Sequence, residues 1–418
     1  MIDTVEISNF RSIKDGKLEL AAITFLYGHN AAGKSSILYA LNIFKNVVSN
    51  PNTTVEAFFN LGFINLGNFK QIVYKHEENL PIILSIFSNS DDTEYKYTIK
   101  INNKTGEFLL NLIRPYGINI SLPVAFPYPL NANTQAQFGS DGVDYTLTWT
   151  GVVAQVTASQ DTEKSKRVIQ DITSIVNNIA NQIRNTDMVP LNRGFTKPNY
   201  GIVPLNGPTP TNEDQLASLL ATDEYLDSKV STYLESIIDR QFRAKTQAGT
   251  SVVALTTTEK KSKQTVDLVN DGSGINQLVY LLGVTLNRKN QLICIEEPEI
   301  NLHPTVIREL PKLLVDLVKD DNKQLIISTH SEELIISTLA LIAAGEIDKK
   351  TIAFYLTTKQ SGVTNFERQG VNEYGQLEGG LTSFMKGELK DIKVFLRKSK
   401  KSNKSISESE VQDNNEQT

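Results

Sequence analysis

Apolar and polar positions follow three different rhythms along the chain. Near the start, Val5 and Ile7 alternate with Glu6 and Ser8, Leu18 and Leu20 flank Glu19, and residues 14–17 supply turn chemistry between them. Two short strands are predicted there. Residues 82–87, 95–101 and 108–113 are β-rich, residues 102–106 read as a hairpin turn, and residues 145–149 and 152–156 continue the series. This pattern predicts an antiparallel sheet. A second rhythm is the short continuous apolar run, at residues 23–27, 292–295 and 325–327. Such runs suit strands buried on both faces, as in a parallel sheet. The third is helical. Val168, Ile172, Ile175, Ile179 and Ile183 share one face of a helix over 162–184, and Leu226, Val230, Leu234, Ile237 and Ile238 share one over 223–242. Further helices are predicted at 37–50, stopped by Asn50 and Pro51, at 277–286 and at 331–344, whereas 188–200 reads as a loop.

Chemistry sits where these rhythms change. After the apolar run 23–27 come Gly28, Asn30, Gly33, Lys34, Ser35 and Ser36 in the pattern G-x-x-x-x-G-K-S, followed by a helix. Glycines let backbone N–H groups close around phosphates, the helix N-terminus adds positive potential, Lys34 adds a point charge and the Ser35 hydroxyl a ligand for Mg²⁺. A nucleoside triphosphate, with ATP and Mg²⁺ as cofactors, is the expected ligand. The run 292–295 ends in Glu296 and Glu297, at the strand end where open α/β sheets place their ligands. The pair resembles a Walker B end, which implies that Glu296 would hold the metal through its water shell and Glu297 would orient and deprotonate the attacking water; Glu in place of the usual Asp at 296 leaves open which of the two touches the metal shell. The run 325–327 leads through Ser328 and Thr329 to His330. Ser273 and Gly274 precede the helix at 277–286 and form a second phosphate-ready turn.

Composition narrows the partners only a little. The 418 residues are 40% hydrophobic and carry 42 Lys plus Arg against 47 Asp plus Glu, a net charge of -5. That excludes a globally basic nucleic-acid binder while allowing a local basic groove. The one cysteine, Cys294, lies in an apolar strand-like run and fits a small buried residue of a reducing compartment. No apolar run approaches the roughly 18 residues of a membrane helix, and no leader or lipidation box is apparent. No membrane partner and a cytoplasmic location are expected. Tyr95, Tyr97, Tyr145 and Trp149 alternate on their strands and could stack on bases, but a half-buried sheet face is the favoured explanation.

Asn9, Phe10, Arg11 and Ser12 close the first alternating strand ahead of the phosphate loop, and this opening resembles ATPases of the SMC, RecF and OLD kind. Gly272, Ser273, Gly274, Ile275, Asn276 and Gln277 then resemble a degenerate ABC signature, Asn301, Leu302, His303 and Pro304 a partner-touching loop of OLD-like heads, and His330 the ABC switch histidine. The resemblance implies an α/β P-loop NTPase of ABC-head type, with an antiparallel β side sheet and a compact helical insertion instead of a long coiled coil. Under it, 1–160 form an N-terminal ATPase lobe, 161–250 the helical insertion, 251–395 a C-terminal lobe and 396–418 a disordered tail. It also implies Arg11 near the nucleotide phosphates, catalysis by Glu297 and His330, and binding by Ser273 and Gly274. Each nucleotide would be sandwiched in an ATP-dependent head-to-tail dimer of the chain. Arg193 and Lys197 lie in a segment that resembles a groove-lining piece of OLD-like ATPases, though Asn192 stands where Arg is expected. Residues 375–385 resemble the end of the same family. DNA and a separate nuclease or effector protein are partners that the resemblance raises; a protein-binding scaffold that never touches DNA is the alternative.

Overall fold

The first hairpin, β1 (Thr4–Phe10) and β2 (Ile13–Glu19), turns at Arg11 and Ser12, because the Phe10–Ile13 pair closes a two-residue loop and Arg11 takes a φ of 54°. The turn expected around Gly16 is instead mid-strand. A side chain at Gly16 would meet the ring of Phe366 at 3.1 Å, so glycine there permits a close approach. The computed structural model describes residues 1–89, 93–114, 120–128, 134–140, 142–205, 209–372 and 374–378.

In chain order the next elements are β3 (Ile23–Tyr27), α1 (Lys34–Ser49), α2 (Phe69–Ile72), β4 (Ile82–Asn89), β5 (Glu94–Ile101), β6 (Gly106–Arg114), β7 (Ile120–Phe126), β8 (Thr134–Ser140), β9 (Val143–Trp149) and β10 (Ala154–Ala158). Then follow α3 (Glu163–Arg184), β11 (Thr186–Val189), β12 (Asn199–Gly201), α4 (Glu213–Thr222), α5 (Glu224–Ile238), β13 (Arg240–Thr246), β14 (Val252–Glu259) and β15 (Thr265–Asp267). The chain continues with α6 (Ser273–Leu286), β16 (Leu292–Glu296), α7 (Pro304–Asp321), β17 (Gln324–Thr329), α8 (Glu332–Ala343), β18 (Ile352–Gln360) and β19 (Val363–Gln369).

Four sheets result. The central one has the order β11-β16-β17-β3-β18-β19, parallel except for β19, and its inner strands are the continuous apolar runs. Beside it lies the antiparallel sheet β2-β1-β4-β5-β6-β7, with β10-β9-β8 as a separate ribbon and β12-β14-β13 plus β15 as a fourth sheet. The expected α/β fold with an antiparallel side sheet is therefore present. Two cores divide the molecule at the central sheet. Leu26 of β3 faces the core shared with α1, α3 and the antiparallel sheet, while Ile23 and Phe25 face the core shared with α5, α6, α7 and α8.

Three segments differ from their sequence reading. Residues 188 and 189 open the stretch that reads as a loop, yet with 186 and 187 they form a buried edge of the central sheet, because parallel pairing with β16 supplies their hydrogen bonds. The helix expected over 223–242 stops at Ile238, where Asp239 adopts a left-handed φ of 55° and the chain reverses into β13. An extra helix, α4, starts at Asn212, whose side chain caps it by accepting from Gln215 N. Residues 396–418 and most of 375–385 lie outside the described residues.

The aromatic ladder is core. Tyr95, Tyr97, Tyr145 and Trp149 are buried, and Trp149 packs on Tyr97 and Phe108 with ring centroids 6.0 and 6.4 Å apart. None of the four presents a face for base stacking. Trp149→Ala should cost about 3–5 kcal/mol of stability, read as a lower denaturant midpoint with an unchanged slope.

Candidate functional site

β3 ends at Tyr27, and the chain wraps through a loop into α1. Gly28 at a φ of 143° and Gly33 at 108° shape that loop, and both are pressed against the hairpin of β18 and β19. A Cβ on Gly28 would lie 2.3 Å from the carbonyl oxygen of Thr357, and one on Gly33 would lie 2.3 Å from the Thr364 hydroxyl. Thr364 in turn donates to the Ala32 carbonyl at 2.8 Å and meets the Ser12 hydroxyl at 2.8 Å. The loop is thus held by β19 from one side and by the first hairpin from another. No side chain caps α1, so its first N–H groups face the loop.

Lys34 is buried, and its ammonium donates to the carbonyls of Gly28 at 2.8 Å and His29 at 3.0 Å. Burial pushes its pKa down, while Glu297, Glu299 and Glu296 hold it up. A cleft of about 400 Å³ opens over this loop, lined by Arg11, Asn30, Gly33, Lys34, Ser35, Ser36 and Glu297. Arg11 reaches Ser36 Oγ at 3.4 Å and lies 5.5 Å over the Tyr39 ring.

The carboxylate turn faces the loop from the end of β16. Glu296 accepts a hydrogen bond from the Ser35 hydroxyl, and the Tyr39 hydroxyl reaches both its oxygens at 3.2 Å. Burial, then the Glu296 charge, raises the Tyr39 pKa to about 12, so this phenol remains a donor at neutral pH. Glu297 sits in the left-handed region at a φ of 44°, with its N–H on the Ser328 carbonyl at 2.8 Å and its carboxylate 3.1 Å from His330 Nδ1. The two acids therefore point to different partners, Glu296 to the loop serine and Glu297 to the histidine. Glu299 lies below them, accepting from the Thr329 hydroxyl at 2.6 Å and the His330 N–H at 3.3 Å. Burial raises its pKa.

Hydroxyl and carboxylate oxygens converging at Ser35 and Glu296 are the donor set that suits a hard cation such as Mg²⁺. No group of three or more His, Cys, Asp or Glu side chains among the described residues is placed to hold a metal by itself.

Not every candidate joins this cleft. Ser273 and Gly274 line a second cleft of about 430 Å³ with Asn301, Leu302 and His303, and the two clefts share no lining residue. The two turns are closely fitted, since a Cβ on Gly274 would lie 2.5 Å from the Asn301 carbonyl. His303 caps α7 by accepting from the Thr305 N–H at 3.3 Å. Lys197 pairs with Asp214 at 2.7 Å on the surface. Arg193 does not line the nucleotide cleft either; it is turned inward behind the carboxylate turn, and burial lowers its pKa to about 10, which leaves it charged at neutral pH.

Tyr39, Glu299, Thr364 and Lys359, the last of which also lines the cleft, escaped the sequence reading. Tyr39 had a usable signal, because it stands one helical turn beyond Ser35 on α1. Glu299 was visible as a third acid after the pair, but nothing local told it from a solvated charge. Thr364 and Lys359 come to the loop only through the pairing of β18 with β3 and β19.

Residues 1–335 match the AAA ATPase domain family. The Old nuclease of Escherichia phage P2 is 25% identical over 384 residues, covering 84% of this chain and 61% of that protein, so the chain spans less than two thirds of that relative. An ATP/GTP phosphatase of Helicobacter pylori is 23% identical over 348 residues, covering 80% of this chain and 86% of that protein. Among solved structures, the SMC head domain from Thermotoga maritima aligns with a TM-score of 0.42 at 10% identity, covering 88% of this chain and 99% of that one. No helix among the described residues is long and apolar enough to cross a membrane.

Proposed function

The chain belongs to the AAA ATPase domain family, and from that premise we propose that it binds ATP in the phosphate-loop cleft and hydrolyses it with Glu297 and His330. The observation that carries this reading is the contact of the Glu297 carboxylate with His330 at 3.1 Å on the rim of a cleft that also holds Lys34 and Ser35. Glycine-loop N–H groups, Lys34 and Arg11 would bind the phosphates. Ser35 and Glu296 would hold Mg²⁺, which when bound neutralises charge on the phosphate oxygens. Glu297 would orient a water on the terminal phosphorus and take its proton as the bond from that phosphorus to the bridging oxygen breaks and ADP leaves. His330 would hold the attacking water and the terminal phosphate oxygens in line.

Ser273 and Gly274 have no part in that cleft, which supports a head-to-tail dimer in which they reach the nucleotide bound by the other copy. ATP would then close the dimer and hydrolysis would open it, making turnover a timer for assembly. We propose further that turnover serves DNA maintenance or defence against mobile elements, with cutting supplied by a separate nuclease or effector protein; the word nuclease in the name of the phage relative supports the link to nucleic acid. A net charge of -5 favours a second reading, an ATP-gated scaffold for a protein partner. ATP turnover with and without linear double-stranded DNA, at low and physiological salt, separates the two. Stimulation that fades with salt is expected for DNA sensing; turnover indifferent to DNA would favour the scaffold.

A further inference from the structure

Glu297 combines the exacting task proposed for it with an unfavourable backbone. A non-glycine residue at a φ of 44° stays there only if its surroundings hold it. On the cleft side the Glu297 N–H bonds the Ser328 carbonyl. The Glu297 carbonyl accepts from the Ile300 N–H at 3.1 Å, and behind the turn one side chain reaches the same carbonyl and its neighbours. Arg193 Nη1 donates to the carbonyls of Pro190 at 3.1 Å and Glu296 at 2.8 Å, and Nη2 donates to those of Glu297 at 2.9 Å and Pro298 at 3.1 Å. Three consecutive carbonyls of the turn, and the end of strand β11, are gathered on one planar guanidinium. Its stem is fixed in turn. Asn276, in the first turns of α6, accepts from the Phe195 N–H at 2.7 Å and donates to the Phe195 carbonyl at 2.8 Å. Between them Gly194 has a φ of 126°, and a Cβ there would lie 2.9 Å from Asn276 Oδ1. The Arg193 segment is therefore clamped to the helix that follows it in the core.

We propose that Arg193 is a positioning residue for hydrolysis, which sets the orientation of the Glu297 carboxylate by holding the carbonyls of 296–298, with Asn276 fixing the segment that carries it. This rests on the reading of Glu297 as the group that orients water. Arg193 does not line the nucleotide cleft, so its loss acts on the chemical step and spares nucleotide affinity. Lysine cannot replace it, because an ammonium is a point donor and cannot span carbonyls that a five-donor fork spans.

The test is a double-mutant cycle of wild type, Arg193→Lys, Glu297→Gln and the double variant, read by single-turnover ATP hydrolysis and by direct titration with a fluorescent ATP analogue. Arg193→Lys should slow hydrolysis about 10- to 100-fold, the size of effect a misplaced catalytic group produces, with analogue affinity unchanged. In the Glu297→Gln background the same substitution should have almost no further effect. An equal loss in both backgrounds, or a loss of affinity in place of rate, would overturn the assignment of Arg193. If Glu297→Gln itself left the rate intact, the underlying reading of Glu297 would fail instead. Asn276→Ala, which keeps the Arg193 side chain but frees the segment that carries it, covers the case in which Arg193→Lys does not fold. It should lower the rate in the same background-dependent way, and a rate loss independent of Glu297 there would equally contradict the proposal.

Discussion

Replacing Glu297 with Gln should lower ATP turnover by about 10² to 10⁴, the usual contribution of a positioned general base, while nucleotide still binds. The reasoning is geometric. Gln keeps the size of the side chain and can still meet His330 Nδ1, but it cannot take a proton from water. Lys34 and Ser35, which line the cleft, and Glu296, which bonds Ser35, are untouched by the change. Because closure of the proposed dimer requires bound ATP and opening requires its loss, the variant should accumulate as an ATP-dependent dimer. Steady-state phosphate release and light scattering with ATP against ADP check the two halves. Normal turnover in the variant would mean that water is activated elsewhere.

Gly28→Ala should abolish tight ATP binding and destabilise the fold. At a φ of 143° the backbone is strained for any L side chain, and the added Cβ would lie 2.3 Å from the carbonyl oxygen of Thr357. That oxygen belongs to β18, which is paired to β3 and cannot retreat without opening the central sheet. Strain and overpacking together cost about 2–6 kcal/mol, and relief by lifting the loop would withdraw the Lys34 and N–H groups from the phosphates. Thermal unfolding and ATP titration measure the two effects. Gly201→Ala is the fitting control, since nothing lies within 4 Å of its Cβ position and β12 is an ordinary extended strand. Its change should stay within about 0.5 kcal/mol.

What was legible in the sequence divides along a physical line. Features set by neighbours in the chain were legible. The glycine loop announces itself by spacing, the inner strands of the central sheet by unbroken apolar runs, and α3 by a helical stripe capped at Thr162. Features set by partners far along the chain were not. Residues 188 and 189 resemble a loop until β16 is laid beside them, and β8 has too few apolar positions to declare itself without β9. The hairpin turn moved from Gly16 to Arg11 because close packing on Phe366, which no local signal encodes, needed the glycine more than the turn did. The site divides in the same way. Lys34 and Ser35 open α1, and Glu296, Glu297 and His330 stand at strand ends, where their motifs put them, whereas Tyr39, Glu299 and Thr364 gain their contacts from tertiary packing. Arg193 shows both sides. Its charge was visible, but its neighbours were not: the guanidinium faces the backbone of the carboxylate turn, beside a cleft that it lines with Pro190 and Tyr280 and apart from the nucleotide cleft.

The central claim, that each ATP is hydrolysed between the phosphate loop of one copy and the Ser273 turn of another, is tested most directly by mixing two inactive variants. Lys34→Ala removes the loop cation and leaves the Ser273 turn; Ser273→Arg fills the second cleft and leaves the loop. Each alone should be inactive. In a two-fold dimer built from one of each, one site is doubly damaged and the other intact, so an equal mixture should regain about a quarter of the wild-type rate. No recovery on mixing, or full activity of Ser273→Arg alone, would contradict the shared site.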